Sequence, residues 1–206
     1  MSTAAASTPP QIVLASASDT RAALLRAAGV EFAAVPARID EETAIAALAA
    51  DGVAPREIAD ALAAAKAQRV AARDPAAVVI GCDQVLDLDG AVMDKATSID
   101  AVRAQVQRLR GRRHSLHSAV VVFHNGNAVW RHVEEVRLTM RLFSDEYREA
   151  YLVRHAARLV GTAGGYRIEE EGVRLFARID GDHAAALGLP LLPLLGYLGQ
   201  RGWIAA

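Results

Sequence analysis

The sequence predicts a single α/β domain in which a mixed β-sheet is flanked by helices. Short apolar strands alternate with helices in the first half, and two long strands joined by an Asn-Gly turn follow in the second half. The 206 residues are 52% hydrophobic, which is enough for one full core, and no repeat or linker divides them. We expect residues 1–10 to form a flexible tail and residues 11–206 to form the domain.

Apolar runs and helix caps mark the elements of the first half. Apolar runs predict strands over residues 11–15, 31–35 and 76–81, and the last run is continuous enough to be buried on both faces. Capping residues predict one helix from Ser18 to about Ala28 and another from Pro55 to about Arg73. Between these helices, a loop is predicted to end in Asp40-Glu41-Glu42.

The second half carries strong turn signals. Asp89-Gly90 predicts a hairpin over residues 85–93, and the turn at residues 124–127 predicts an antiparallel ribbon of residues 115–123 and 128–142. Helices are predicted over about residues 98–109, after Ser144 and after Pro190. A Gly-rich loop over residues 161–165 precedes a strand predicted near residues 173–179.

Composition excludes several classes of function. The net charge of -1 gives no general attraction to nucleic acid or to an anionic membrane. Aromatic residues are only 5% of the chain and the arginines are scattered among acids, which argues against an RNA-binding module. The single cysteine, Cys82, excludes an intrachain disulfide, and the N-terminus lacks the features of a signal peptide. We therefore expect a cytoplasmic protein with no nucleic-acid or membrane partner.

Lysine is nearly absent from the chain. Of 23 basic residues only Lys66 and Lys95 are lysines, so each is a candidate for a position where a compact point charge is needed. Lys66 is spaced by four from Leu62 and Val70, which places it within the apolar stripe of a helix. Lys66 could lie along apolar surface with its amine in solvent, and Lys95 could be an exposed loop residue.

Asp83 follows the buried strand predicted over residues 76–81. Open α/β sheets bind ligands beyond the carboxyl ends of their strands, and a carboxylate there is costly to desolvate unless it is paired or metal-bound. Asp83 is therefore a candidate metal ligand or a base that activates water, with a turn-capping aspartate as the alternative. Glu41 or Glu42 could supply a second carboxylate to Mg²⁺, or could belong to a solvated acidic loop.

The segment from Ser16 to Arg21 has the composition of a phosphate cradle. Free N–H groups at a helix N-terminus, the hydroxyls of Ser16 and Ser18, and the cation of Arg21 are all suited to bind an anion. Residues 169–171 are three glutamates, which usually form a solvated run but can also accept the two adjacent donors of a guanine edge.

The remaining reactive residue types show no site pattern. His114 and His117 are three residues apart on a predicted strand, so they should face opposite sides and should not share a metal. Cys82 should point away from Asp83 for the same reason, and no partner that would activate a thiol is evident.

Several spaced motifs together resemble the Maf-like nucleotide pyrophosphatases over about residues 11–200. The matching segments are Leu14-Ala15-Ser16-x-Ser18-x-x-Arg21, Asp40-Glu41, Lys66-Ala67, Ile80-Gly81-Cys82-Asp83-Gln84-Val85, Asp94-Lys95, Leu109-x-Gly111-Arg112-x-His114 and Gly188-Leu189-Pro190. The resemblance implies an elongated mixed α/β domain with a central cleft, which can form a homodimer. It also implies hydrolysis of nucleoside triphosphates to a monophosphate and pyrophosphate with Mg²⁺ or Mn²⁺.

The resemblance assigns roles to individual residues. Asp83 is implied as proton acceptor or metal-linked base. Ser16, Arg21, Glu41, Lys66 and Lys95 are implied to surround the phosphates and the metal. We expect Lys66, Lys95 and Asp83 to be catalytic, Glu41 and Asp83 to bind the metal, and Ser18 to contribute to substrate binding.

The resemblance also bears on the base. With Gln84 after Asp83 and Glu169 in the late loop, the chain resembles the branch of the family that acts on 7-methyl-GTP more than the branch that acts on dTTP and UTP. Thr20 stands where the family has another residue that faces the base. Glu170 is an alternative counterpart of Glu169. The rival hypothesis is a regulatory protein linked to cell division and septum formation that binds a nucleotide without turning it over.

Overall fold

The computed structural model describes residues 10–205, and the strands within that range form one mixed sheet. The strand order is β2-β1-β3-β5-β6-β7, and β4 pairs with the outer part of β3. The strands are β1 (Ile12–Ala15), β2 (Ala33–Ala34), β3 (Val78–Leu88), β4 (Ala91–Met93), β5 (Arg113–His124), β6 (Asn127–Met140) and β7 (Phe176–Asp180). All but one of the residues expected to form the N-terminal tail, 1–10, lie outside the described range.

Strand direction changes at β3. Strand β1 pairs in parallel with both β2 and β3. The pairs β3–β4, β3–β5, β5–β6 and β6–β7 are antiparallel. This arrangement follows the chain, because helices connect β1, β2 and β3 in turn, whereas tight turns connect β3 to β4 and β5 to β6. The mixed-sheet α/β fold class predicted from the sequence is confirmed.

The helices begin at the capping residues that the sequence indicates. Ser18, Ser98 and Ser144 each accept a hydrogen bond from the backbone N–H three residues further on. The helices of the described range are α1 (Asp19–Ala27), α2 (Glu41–Ala50), α3 (Pro55–Ala71), α4 (Ile99–Leu109), α5 (Asp145–Leu159), α6 (His183–Ala186) and α7 (Leu191–Gln200), with a 3-10 helix at Glu171–Leu175. None of these helices is long and apolar enough to cross a membrane.

The helices cover both faces of the sheet with apolar side chains. Helix α3 packs on one face of β3 and β5, where Val79 and Val121 point towards it. Helices α1 and α7 pack on the opposite face, against Ile80 and Val122. Helices α4 and α5 form a third apolar cluster with the far ends of β3, β5 and β6. The central strands are therefore buried on both faces, as the continuous apolar run in β3 predicts.

Gly81 allows the close packing of β3 against α3. A Cβ atom at this position would overlap the Ala63 carbonyl and would lie 2.7 Å from the Ala67 nitrogen. Because Gly81 has no Cβ, the backbone of α3 can lie directly on β3. This close approach brings Lys66 of α3 within hydrogen-bond distance of Asp83.

Four sequence expectations are wrong in part. Glu41 and Glu42, expected to end a loop, instead form the first turn of α2, and Asp40 is its N-cap. β3 does not stop before Asp83 but continues to Leu88, so Asp83 lies inside a strand. The strand expected at residues 31–35 is reduced to β2, and residues 173–175 of the strand predicted near residues 173–179 belong to the 3-10 helix instead.

Candidate functional site

A cavity of about 560 Å³ opens beside the middle of β3. Because β1 ends at Ala15, opposite Gly81, no parallel neighbour covers that side of β3 at Asp83. The cavity is bounded by the β1–α1 connection, the segment before α2, one side of α3, Lys95 and residues 161–169. Although Asp83 does not end its strand, it lies just beyond the end of the parallel pairing, where the sheet opens.

Asp83, Glu41 and both lysines form a continuous chain of ion pairs in this cavity. Lys66 Nζ lies 2.5 Å from Asp83 Oδ1 and 2.6 Å from Glu41 Oε1. Lys95 Nζ donates to the other oxygen of Glu41, at 2.7 Å. Lys66 is 8% exposed and Asp83 is 5% exposed, so the alternatives of a solvated lysine and a turn-capping aspartate are wrong. The structure therefore brings together the four charged residues predicted for the catalytic and metal sites.

Glu41 remains ionised within this chain. Burial alone would raise the pKa of its carboxyl, but the hydrogen bonds from Lys66 and Lys95 outweigh burial and lower the pKa to about 2. Glu41 occupies the first turn of α2, and the positive end of the helix dipole also favours its charge. The missed helix α2 thus positions the carboxylate that joins the two lysines.

The serines and Arg21 border the cavity next to Asp83, but part of their hydrogen-bonding capacity is already used. Ser16 Oγ accepts the Ser18 N–H at 3.2 Å, and Ser18 Oγ caps α1. Arg21 donates from Nε to the Gly188 carbonyl at 2.8 Å and from Nη1 to the Cys82 carbonyl at 3.1 Å. The residues predicted to form a phosphate cradle lie together on the cavity wall, and two backbone oxygens hold Arg21 in a fixed orientation.

The residues predicted to contact the base, Thr20, Gln84 and Glu169, line the cavity, and Gln84 contacts α6. Gln84 Nε2 donates to Ser118 Oγ at 2.9 Å and approaches the carbonyls of Ala185 and Ala186, at 3.2 and 3.0 Å. Its nitrogen is therefore fully engaged, and its carbonyl oxygen is the group left for a ligand. Glu169 lines the cavity and accepts a hydrogen bond from Thr20 at 3.2 Å, whereas Glu170 pairs with Arg158 outside the cavity lining.

The cavity is positively charged although the whole chain carries a net charge of -1. Five cationic side chains line it, against three carboxylates: Arg21, Arg38, Lys66, Lys95 and Arg167, against Glu41, Asp83 and Glu169. A cavity with an excess of cations and apolar walls concentrates a positive potential. This arrangement is suited to a polyanionic ligand.

The sequence interpretation missed Arg38, Tyr166 and Arg167. The backbone of Arg38 has φ 46°, in the left-handed region. The side chains of its neighbours Ala37 and Ile39 belong to the apolar cluster that α3 forms with the sheet. Arg38 forms no ion pair or hydrogen bond with the residues between 10 and 205, so its cation is available to a ligand. In the sequence, Arg38 is marked only by its position two residues before Asp40, and this position alone does not predict a residue of the cavity.

The histidines and the cysteine lie apart from the ion-pair chain, as expected. His114 contacts the Tyr166 hydroxyl at 2.9 Å on one face, and His117 contacts Asp87 at 3.1 Å on the other. Cys82 packs in the α1–α7 cluster, on the face opposite Asp83, and burial raises the pKa of its thiol to about 11. Within residues 10–205, no three His, Cys, Asp or Glu side chains are grouped so that they could hold a metal by themselves.

Comparison with known proteins extends over nearly the whole chain. Residues 11–201 match the model of the family described as Maf-like protein. A protein of Ruegeria pomeroyi named nucleoside triphosphate pyrophosphatase is 49% identical over 94% of this chain and 97% of its own length. A protein of the same name from Caulobacter vibrioides is 48% identical, over 93% of this chain and 96% of its own length. A Brucella abortus protein named 7-methyl-GTP pyrophosphatase is 43% identical over 93% of this chain and 96% of its own length. The chain belongs to the Maf-like protein family.

Proposed function

We propose that this protein hydrolyses the α–β phosphoanhydride bond of a nucleoside triphosphate and releases a monophosphate and pyrophosphate. The observation that carries the proposal is the pairing of Asp83 with Lys66 inside a cavity lined by an excess of cations. The names of the relatives agree with this reaction. A protein that only binds a nucleotide has no need of a buried carboxylate beside the phosphate site.

The carboxylates fit a divalent metal that is shared with the substrate. Asp83 Oδ2 has no hydrogen-bond partner within the described range, and Glu41 lies on the other side of Lys66. Two carboxylates are too few for a site made by protein alone, but Mg²⁺ usually binds one or two carboxylates together with phosphate oxygens. Asp83 and Glu41 would hold Mg²⁺ or Mn²⁺, which would polarise the phosphate oxygens and neutralise their charge.

Asp83 would orient the attacking water. Its Oδ1 is fixed by Lys66, which leaves Oδ2 to accept a proton from a water molecule placed in line with the α-phosphorus. The water oxygen forms a bond to the α-phosphorus, the bridging bond to the β-phosphate breaks, and the pyrophosphate leaves with the bonding electron pair. Lys66 holds the carboxylate in a fixed orientation, and Oδ2 takes the proton as the water oxygen bonds to the phosphorus.

The cations would stabilise the pyrophosphate leaving group. Lys66, Lys95 and Arg21 line the same cavity, and Arg38 adds a cation without a protein partner in the described chain. Each ammonium group has three N–H donors, and the donors that Asp83 and Glu41 do not use would contact phosphate oxygens. Ser16 and Ser18 would contribute hydroxyls and N–H groups near α1. Since these groups are held before the substrate binds, stabilisation of developing charge requires little rearrangement.

The base preference belongs to Gln84, Glu169 and Thr20. Glu169 presents a carboxylate, which accepts the adjacent N–H groups of a guanine edge, whereas a uracil edge offers acceptors on both sides of one donor. We therefore place modified or non-standard guanine nucleotides first, with 7-methyl-GTP as the leading candidate. The name of the Brucella abortus relative supports this choice. If Glu169→Gln leaves the relative rates on guanine and pyrimidine triphosphates unchanged, the base assignment fails.

A panel of standard and modified triphosphates with Mg²⁺ tests the reaction. We expect pyrophosphate as the first product, and we expect Asp83→Asn to abolish its release while nucleotide binding persists. Orthophosphate as the first product would mean that the γ-phosphate is cleaved. Calorimetric binding without any pyrophosphate release by the wild-type protein would instead favour the regulatory hypothesis.

A further inference from the structure

We propose that Arg167 is a positioning residue for base recognition, and that it directs the Glu169 carboxylate into the cavity while it directs Glu170 away. This inference depends on the proposed function, since it concerns the base of the same nucleotide. The inference is argued from contacts that link Thr20, helix α5 and three charged residues of one loop, Arg167, Glu169 and Glu170.

The Arg167 guanidinium contacts both neighbouring glutamates. Its Nη2 donates to Glu169 Oε1 at 2.9 Å, and its Nε lies 3.0 Å from Glu170 Oε1 in an ion pair that is not aligned as a hydrogen bond. Arg158 of α5 holds the same Glu170 oxygen at 3.0 Å. The two acids therefore separate, with Glu169 on the cavity side and Glu170 against α5.

The backbone around Arg167 is fixed by close packing. A Cβ atom on Gly172 would lie 2.5 Å from the Arg167 carbonyl oxygen, and the Glu170 N–H donates to the same carbonyl at 3.2 Å. Arg167 is only partly exposed and lines the cavity itself. Because the loop is closed on its own backbone, the orientation of Glu169 depends on the guanidinium rather than on a flexible main chain.

These contacts use part of the hydrogen-bond acceptor capacity of the Glu169 carboxylate and leave the rest for a ligand. A carboxylate offers about four acceptor positions. Thr20 Oγ1 and Arg167 Nη2 both donate to Oε1, whereas Oε2 has no partner among residues 10–205. About two positions therefore remain, which matches the two adjacent donors of a guanine edge. A uracil edge offers only one donor in that place.

Arg167 also balances the charge of Glu169. With a guanidinium hydrogen-bonded to it, the carboxylate exerts a weaker attraction on a cationic methylated base than an isolated carboxylate would. We infer that this rim of the cavity recognises the donor pattern of the base more than its charge. Lysine would replace arginine only in part, since an ammonium group keeps the charge but lacks the planar fork that contacts two separated carboxylates.

Calorimetry with hydrolysis-resistant ligands tests this inference. The probes are the α,β-methylene triphosphates of guanosine and uridine with Mg²⁺, so the preference is measured whether or not the protein turns nucleotides over. We expect the wild-type protein to bind the guanosine ligand more tightly. Arg167→Ala should lower this ratio about tenfold, which is the loss expected when one charge-assisted hydrogen bond is displaced.

Controls separate positioning from a general structural role. Arg154→Ala removes a matched arginine that pairs with Glu171 in the same region, at 2.7 Å, and it should leave the ratio unchanged. Affinity for inorganic pyrophosphate reports any general change in the positive charge of the cavity, which cancels from the ratio between the two triphosphate ligands. Glu169→Gln should reproduce the loss, and adding Arg167→Ala to it should cause little further change. If Arg167→Ala does not fold, Arg167→Lys provides the test, with a smaller loss of preference.

Three results would overturn the proposal. One is an unchanged ratio in the Arg167 variants, and another is additive losses in the double variant. The third is a wild-type protein with no preference between the two ligands. Failure of the proposed reaction is seen separately, as the absence of pyrophosphate release from every triphosphate by a protein that still shows the binding ratio.

Discussion

Replacing Lys66 by methionine should both destabilise the protein and abolish its activity. Methionine fills a similar volume, but it leaves the Asp83 carboxylate, whose side chain is 7% exposed, without its cation. Removing one partner of a buried ion pair costs about 3–5 kcal/mol. Glu41 keeps Lys95, so we expect the lower end of that range, about 3 kcal/mol. For a chain of this size, such a loss lowers the melting temperature by about 6–12 °C.

The assay is urea unfolding followed by circular dichroism, together with pyrophosphate release from a guanine triphosphate. Lys95→Met is the matched control, because Lys95 is 64% exposed and Glu41 is its one ion-pair partner among residues 10–205. We expect it to change the free energy of unfolding by no more than about 1 kcal/mol. Its activity should nevertheless fall, since the cation is lost from the phosphate site.

A double variant separates the two effects of Lys66. Lys66→Met combined with Asp83→Asn removes the charge that Lys66→Met leaves unpaired, so it should recover at least half of the lost stability and none of the activity. The reasoning is refuted if Lys66→Met is as stable as the wild-type protein. It is equally refuted if the double variant is less stable than the single one.

Three further changes test how the fold supports the site. His114 is buried, and desolvation lowers its pKa from 6.5 to about 4, so the unfolded chain binds its proton first as pH falls. Stability should therefore drop by up to about 3 kcal/mol between pH 6.5 and 4, and unfolding titrations of His114→Gln should lack that component. Gly81→Ala should cost about 1–3 kcal/mol in urea unfolding because its Cβ would overlap α3, whereas Gly196→Ala, which meets open space, should be neutral or stabilising. Arg38→Gly should be about 1 kcal/mol more stable than Arg38→Ala by the same measurement, because glycine accepts φ 46° without strain, while both variants should raise KM for the triphosphate.

Local signals explain which parts of the fold could be predicted. Ser98 and Ser144 cap their helices, and Asn125-Gly126 forms the turn between β5 and β6, because each of these residues acts on its nearest backbone neighbours. The pairing of Lys66 with Asp83 was also predictable. A lysine within an apolar helix stripe and an acid after an apolar strand each require a partner, and each is the natural partner of the other.

Tertiary contacts explain what the sequence could not predict. Helix α2 is rich in alanine and has no fully buried residue, so it lacks the periodic apolar face that would have revealed it. Asp83 and Gln84 suggest the end of a strand, but β3 continues because Lys66 and Ser118 satisfy their side chains. Glu169 and Glu170 are adjacent and identical in type, and they are distinguished by tertiary contacts with Thr20, Arg158 and Arg167.

The most direct test of the account is the destination of the oxygen atom supplied by water. A guanine triphosphate is hydrolysed in ¹⁸O-labelled water with Mg²⁺, and the products are analysed by mass spectrometry. Attack on the α-phosphorus by a water molecule oriented by Asp83 predicts one ¹⁸O atom in the nucleoside monophosphate and none in the pyrophosphate. Label in the pyrophosphate, or in released orthophosphate, would contradict it.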